Sequence, residues 1–231
     1  MVDIHSHLLP DVDDGCPSYE NSLELIKKVS VQGVTDVVLT PHHRREYNAT
    51  PQELQEKFSI LSDKIKQSGL NVRVYLGQEI FIEKDYKSLL LNDKVLSMNG
   101  GKFVLVEFAF EYSCDIINTV YELKMMGYEP IVAHVERYGY ADITTVEQIK
   151  EEGGYVQVNA QSIVQNCPLK QKKFIKQLFK NNLVDFVASD MHSERKYLMA
   201  KAFNKVQRWC GKKVANAVFN ENAKKIITGQ S

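Results

Sequence analysis

The chain has 231 residues, of which 44% are hydrophobic and 25% charged, with 29 lysines and arginines balancing 29 aspartates and glutamates. That size and balance fit one α/β domain over residues 1–231, and a net charge of zero gives no electrostatic case for a nucleic-acid or membrane-surface partner. No apolar run reaches the length of a membrane span, and Asp3 and His5 stand where a signal peptide needs a basic and then an apolar stretch, so a cytoplasmic location is expected.

In chain order, the pattern predicts a strand at 2–5 and a loop at 6–17. Ser18 then caps a helix that runs to about Gln32. Gly33 ends that helix and a strand follows at 35–40. Thr50-Pro51-x-Glu53 reads as an N-cap with proline at the first helical position, opening a helix to Gly69. A strand at 72–79, a short helix near 84–91 and a strand at 103–108 come next. A helix over 114–126 ends at Gly127, before a strand at 130–134. A helix near 144–152 ends at Gly153-Gly154, before a strand at 155–159. A helix at 170–181 precedes a strand at 184–189, and helices at 196–209 and 213–227 close the chain. Seven strands alternating with helices imply parallel strands joined by right-handed crossovers.

The four cysteines, Cys16, Cys114, Cys167 and Cys210, form no CxxC pair. They are expected to be free thiols. Six residues after them stand Ser22, Val120, Lys173 and Asn216, so the C-x5-R loop of a cysteine-nucleophile phosphatase is absent.

Potential metal ligands fall at or just after the strand ends. His5 and His7 follow the first run, with Asp14 in the acidic loop beyond. His42, Glu79, Glu107 and His134 follow the next four, and Asp190 and His192 follow the seventh. Five of the six histidines are in this set. Histidines placed only for packing would not keep one position in every unit. An open doubly wound sheet would put its site at one switch point, whereas here six of seven strands contribute. A closed mouth of parallel strand ends, a (β/α)7 TIM-like barrel, accounts for the convergence.

His5 and His7 are two apart, so both imidazoles can face one ion, and Asp190 with His192 repeats that spacing. One catalytic zinc takes about three protein ligands, so nine donors suggest two or three divalent ions. A mixture of imidazoles and carboxylates suits manganese, iron or zinc. Asp14 competes with Asp11 and Asp13, and spacing does not choose among them. His43, beside His42, is expected to face away. Asn159 ends the sixth strand, either to orient a ligand or water or to make a structural hydrogen bond.

Clustered cations lower the pKa of a bound water and neutralise phosphoryl oxygens. A phosphate also needs cationic side chains at the mouth. Arg44 and Arg45 follow His42, Arg137 lies three residues after His134, and Arg195 three after His192. Guanidinium forks match phosphate oxygens, and Arg137 is favoured over the others, for which a solvated surface position is the plainer reading. Tyr47 and Tyr112 are candidates to contact a peptide, or simply loop tyrosines at a packed edge.

The order of these segments resembles the polymerase-and-histidinol-phosphatase (PHP) family. Asp3-x-His5-x-His7, His42, Glu79, Glu107, His134 and Asp190-x-His192 all fall in its sequence. Further segments, Asp11-Val12-Asp13-Asp14-Gly15, Gly77-Gln78-Glu79-Ile80 and Ala133-His134-Val135-Glu136-Arg137-Tyr138, are similar to the branch of bacterial manganese-dependent protein-tyrosine phosphatases of capsule and exopolysaccharide synthesis. The resemblance covers nearly the whole chain. It implies a PHP phosphatase domain, a distorted seven-stranded barrel with three metal ions, Mn2+ first among them, and Asp14 in the metal shell. It also implies phosphate binding by Arg137 and by an arginine after His192. Arg195 lies unusually close behind His192 for that role. The implied substrate is a phosphotyrosine protein, the tyrosine-rich C-terminal tail of a bacterial tyrosine kinase. The competing expectations are a histidinol phosphatase or other small-molecule PHP phosphoesterase, and a non-catalytic, metal-stabilised binding module.

Overall fold

A computed structural model describes residues 1–228. Strands and helices alternate as the sequence predicts. β1 (Val2–Asp3) leads to α1 (Tyr19–Val31), and β2 (Asp36–Leu39) and β3 (His42–His43) to α2 (Pro51–Gln67). β4 (Arg73–Leu76) and β5 (Glu79–Phe81) lead to α3 (Tyr86–Leu91), β6 (Phe103–Glu107) to α4 (Ile116–Met125), and β7 (Glu129–Val132) to α5 (Ile143–Glu151). β8 (Tyr155–Asn159) precedes α6 (Ala160–Val164) and α7 (Leu169–Lys180). β9 (Phe186–Ala188) precedes α8 (Met199–Asn216), and α9 (Asn222–Thr228) comes last. No helix among the described residues is long and apolar enough to cross a membrane.

The described residues form nine strands where seven were expected. The predicted strand at 35–40 is β2, and pairing resumes as β3 after Pro41, which has no N–H to donate; the predicted strand at 72–79 is split at Gly77-Gln78 into β4 and the start of β5. Every pairing is parallel. The order is β1-β2-β4 in one sheet and β3-β5-β6-β7-β8-β9 in the other. A single bridge, Ser6 to Met191, joins the chain beyond β1 to the chain beyond β9. The result is a curled sheet of parallel strands with helices outside.

The caps behave as their residue types require. The Ser18 side chain accepts from the Asn21 N–H, and Thr50 with Glu53 forms a full capping box. The break expected between 209 and 213 is a kink at Gly211, whose φ of 86° favours a residue without a Cβ.

Two apolar layers follow from strand alternation. Val104 and Val106 of β6 pack outward against helices, while Phe103 and Leu105 face the inside of the curl. Val38, Ile131, Phe186 and Ala188 join that inner layer, and Ala223 and Ile226 of α9 close it from below. This layer is the dry floor beneath the strand C-termini. Glu107, two residues after Leu105, continues the inner parity into the mouth.

Asp3 ties the first strand to the last. Its buried carboxylate accepts from the Ser189 N–H at 2.9 Å and from the Tyr197 hydroxyl at 2.8 Å. Replacing it strands two buried donors, so Asp3→Ala is expected to cost roughly 1–3 kcal/mol in urea unfolding. An unchanged midpoint would show that the bridge contributes nothing.

Candidate metal centre

Eight of the nine predicted donors converge at the C-terminal ends of the strands. His5 and His7 stand beyond β1, His42 on β3, Glu79 on β5, Glu107 at the end of β6, His134 beyond β7, and Asp190 with His192 beyond β9. His134 (φ 30°) and Asp190 (φ 50°) adopt left-handed backbone that turns each side chain out of strand register. Four overlapping trios each place one donor atom per residue within 4.8 Å of the others. They are His7-His42-His192, His5-His7-Asp190, His5-Glu79-His134 and His42-Glu79-Glu107. Asp14 lies at the rim, 3.7 Å from His42 Nε2 and 3.6 Å from His192 Nε2.

The acidic loop divides its work among three aspartates. Asp13 accepts from His7 Nδ1 at 2.7 Å and also from the His42 and Gly15 backbone N–H groups. These partners, His7 foremost, outweigh burial and hold its carboxyl down at about 2. Asp11 points away and pairs with Lys57. Asp14 instead faces the Nε2 atoms of His42 and His192. A Cβ on Gly15 would meet the His7 carbonyl at 2.2 Å, so only glycine lets this loop pass so close.

Hydrogen-bond partners fix which ring nitrogens face inward. Asp13 holds a proton on His7 Nδ1. His5 Nδ1 meets the Gln157 amide oxygen at 3.2 Å, an atom that only accepts, so Nδ1 donates there too. In the neutral rings both Nε2 atoms then present lone pairs, 3.1 Å apart. Two lone pairs at that distance repel unless a cation or a proton lies against them. Nearby, Glu79 Oε2 and Glu107 Oε2 are buried without a hydrogen bond. His42 Nδ1 is 2.9 Å from Glu79 Oε2 yet misaligned for hydrogen bonding. Close, buried, misaligned donor atoms of mixed imidazole and carboxylate type fit divalent cations well.

The charges are strongly interdependent. Burial alone would raise Glu79, but His5, His42 and His134 hold it well below the usual carboxylate range. Burial and the Glu79 charge push Glu107 up to about 8. Burial works against a charged His7, but Asp13 and Glu79 raise it well above an ordinary imidazole. Burial and the neighbouring His7 depress His192 to about 4.

The two arginines flank one edge of the cluster. Arg195 Nη1 lies 2.6 Å and Arg137 Nη1 3.4 Å from Asp190 Oδ2. Arg137 also lies over the Phe110 ring, 4.3 Å from its centroid. Arg44 instead sits over Tyr47 and near Glu46. Tyr47 in turn stacks on His42, with centroids 6.1 Å apart, while Arg45 and Tyr112 are exposed. His43 joins none of the donor trios.

Gln157 was not anticipated. Its amide oxygen accepts from His5 and from the His134 N–H, and its nitrogen donates to Asn159, which donates to Asp190. Asn159 thus makes a buried hydrogen bond to one of the candidate ligands. A pair of polar residues at alternate positions of an otherwise buried, apolar strand was the available signal.

The family model for capsular polysaccharide synthesis, CpsB/CapC, matches residues 1–228. The tyrosine-protein phosphatase CpsB of Streptococcus agalactiae serotype V is 36% identical, over 98% of each chain. A solved structure from work on YwqE of Bacillus subtilis and CpsB of Streptococcus pneumoniae, described as unique metal-dependent tyrosine phosphatases, superposes with a TM-score of 0.93. It is 28% identical and covers 100% of this chain and 96% of the other. The histidinol phosphate phosphatase of Lactococcus lactis, at 14% identity and a TM-score of 0.56, covers 92% of this chain and 93% of its own, and shares the fold alone.

Ions entering this cluster must displace the proton of Glu107, whose carboxyl is pushed up to about 8, and compete with protons for His7, whose imidazole Asp13 and Glu79 make more basic than usual. Affinity for Mn2+ is therefore expected to fall as pH drops below 8, by about tenfold per pH unit for each proton displaced. Calorimetric titration in buffers of different ionisation enthalpy should show net proton release. The metal-free fold has the opposite trend. The stabilising contribution of protonated Glu107 is full below its ordinary value of 4.5 and is lost as pH rises through about 8. Titrations with no proton release would contradict this account.

Proposed function

Since the chain belongs to the CpsB/CapC family of capsular polysaccharide synthesis, we propose that it is a metal-dependent protein-tyrosine phosphatase, a phosphomonoesterase acting on phosphotyrosine. The observation that carries this function is the pair of facing Nε2 atoms of His5 and His7 inside a ring of carboxylates, with two guanidiniums at one edge. β2 with β3 and β4 with β5 are then single bent strands, and the domain is a distorted (β/α)7 barrel.

His5, His7, Asp14, His42, Glu79, Glu107, His134, Asp190 and His192 would hold two or three divalent ions, manganese by preference and iron or zinc as alternatives. When bound, such ions supply Lewis acidity and lower the pKa of water. The protein's own groups do the rest. Arg137 and Arg195 bind phosphoryl oxygens at the Asp190 edge, and Phe110 holds the Arg137 guanidinium in place. Asp13 and Gln157 keep the His7 and His5 rings oriented with Nε2 inward. Phenolate leaves readily, so no strong general acid is required.

The natural substrate is a phosphotyrosine protein, the tail of a bacterial tyrosine kinase, and the setting is the cytoplasm, where dephosphorylation regulates capsular polysaccharide synthesis. The names of the relatives support the phosphotyrosine substrate, and the family description supports the capsular setting.

Protein purified with manganese should release phosphate from a phosphotyrosine peptide and not from histidinol phosphate. His5→Ala/His7→Ala should abolish the release, and Arg137→Ala should lower kcat/KM by roughly 100-fold. Turnover of histidinol phosphate alone would move the chain to a metabolic role, and silence on both substrates would leave a binding module.

A further inference from the structure

The donor cluster opens into more space than a phosphate ester needs. Beside it lies a cavity of about 290 Å³ lined by Arg137, Asn159, Gln171, Asp190 and Arg195. Arg137 and Gln171 also line a second, larger cavity of about 600 Å³, farther from the metal site. The two spaces are therefore neighbours across a shared wall, and that wall includes an arginine assigned to phosphate binding.

The second cavity has a defined chemistry. Tyr138, Ala141, Ile143 and Phe174 give it an apolar floor. Lys170 and Lys173 stand on its α7 side, both exposed, and neither forms an ion pair among the described residues. α7 carries five lysines and no acidic residue, although the chain as a whole is neutral. Asp142, at the rim, is committed to capping α5. The cavity lies in the size range of a ligand pocket, yet the donor groups of the metal site do not line it. A small phosphomonoester held at the metals has no group to put there, while a polypeptide does.

We propose that this cavity is a specificity subsite for the substrate segment flanking the phosphotyrosine, taking an apolar side chain on its floor and an adjacent acidic residue against Lys170 and Lys173. This inference rests on the protein-tyrosine phosphatase function proposed above. It gives the basic face of α7 a partner: an acidic, apolar stretch of polypeptide next to the scissile ester. The apolar contact supplies burial, and the lysines favour acidic over basic flanks and speed encounter at low salt.

The test uses the manganese-loaded protein, p-nitrophenyl phosphate as a reference, and three phosphotyrosine peptides. One is flanked on both sides by Gly-Ser, one by Leu-Glu and one by Leu-Lys. The expected order of kcat/KM relative to the reference is Leu-Glu first and Leu-Lys last, separated by at least tenfold through KM. Lys170→Glu/Lys173→Glu should invert that order, an outcome that misfolding does not produce. Gly139 lines the cavity with open space where a Cβ would stand. Gly139→Trp should fill the cavity and erase the advantage of either leucine-bearing peptide over Gly-Ser. Equal turnover of all three peptides, or an acidic preference that survives the charge reversal, would overturn the subsite while leaving the phosphatase function standing. Turnover of the reference but of no peptide would overturn both.

Discussion

Two imidazole Nε2 atoms 3.1 Å apart, with buried carboxylates on every side, set the terms for this molecule. Hydrogen bonds donated to Asp13 and Gln157 force the arrangement, because each acceptor occupies the Nδ1 position and leaves Nε2 to face inward. Glu79 sits at the crossing point, within 3.3 Å of donor nitrogens on His5, His7, His42 and His134. In a low-dielectric pocket such a group of charges and lone pairs is stable only when cations or protons compensate it. Protons on His7 and Glu107 can do so in part. Divalent ions do so more completely, and the same compensation produces the chemistry.

The fold serves that cluster in two ways. Parallel strands end together, so residues far apart in sequence meet at one mouth. Bends at Pro41 and Gly77-Gln78 then redirect β3 and β5, which pair His42 directly with Glu79 in register. The apolar layer beneath keeps water from entering below, and Asp3 with the Ser6–Met191 bridge joins the first unit to the last. Since His5, His7, Asp190 and His192 come from those two units, the link governs half of the donor trios.

Much of this was legible in the sequence because ligand position is tied to strand ends, and strand ends are marked by apolar runs followed by polar punctuation. The candidate donors, the caps at Ser18 and Thr50 and the break between 209 and 213 all follow local rules. Asp11, Asp13 and Asp14 did not separate by spacing, since loop conformation decides which carboxylate turns inward; here a close approach at Gly15 makes the choice. Gln157 escaped notice because its partners lie 23 and 152 residues away in sequence. Strand interruptions escaped for a related reason: they depend on how two neighbouring strands bend together. Arg195 reaches the cluster despite the short segment behind His192, because its side chain folds back onto Asp190.

The central claim is that cations compensate this cluster and that catalysis depends on them. It is tested most directly by measuring bound metal per chain, by elemental analysis, alongside the rate on a phosphotyrosine peptide as a chelator strips the protein. The account predicts two or three ions per chain at full activity and a rate that falls with their loss and returns with manganese. A full rate persisting in protein shown to carry no metal would contradict it.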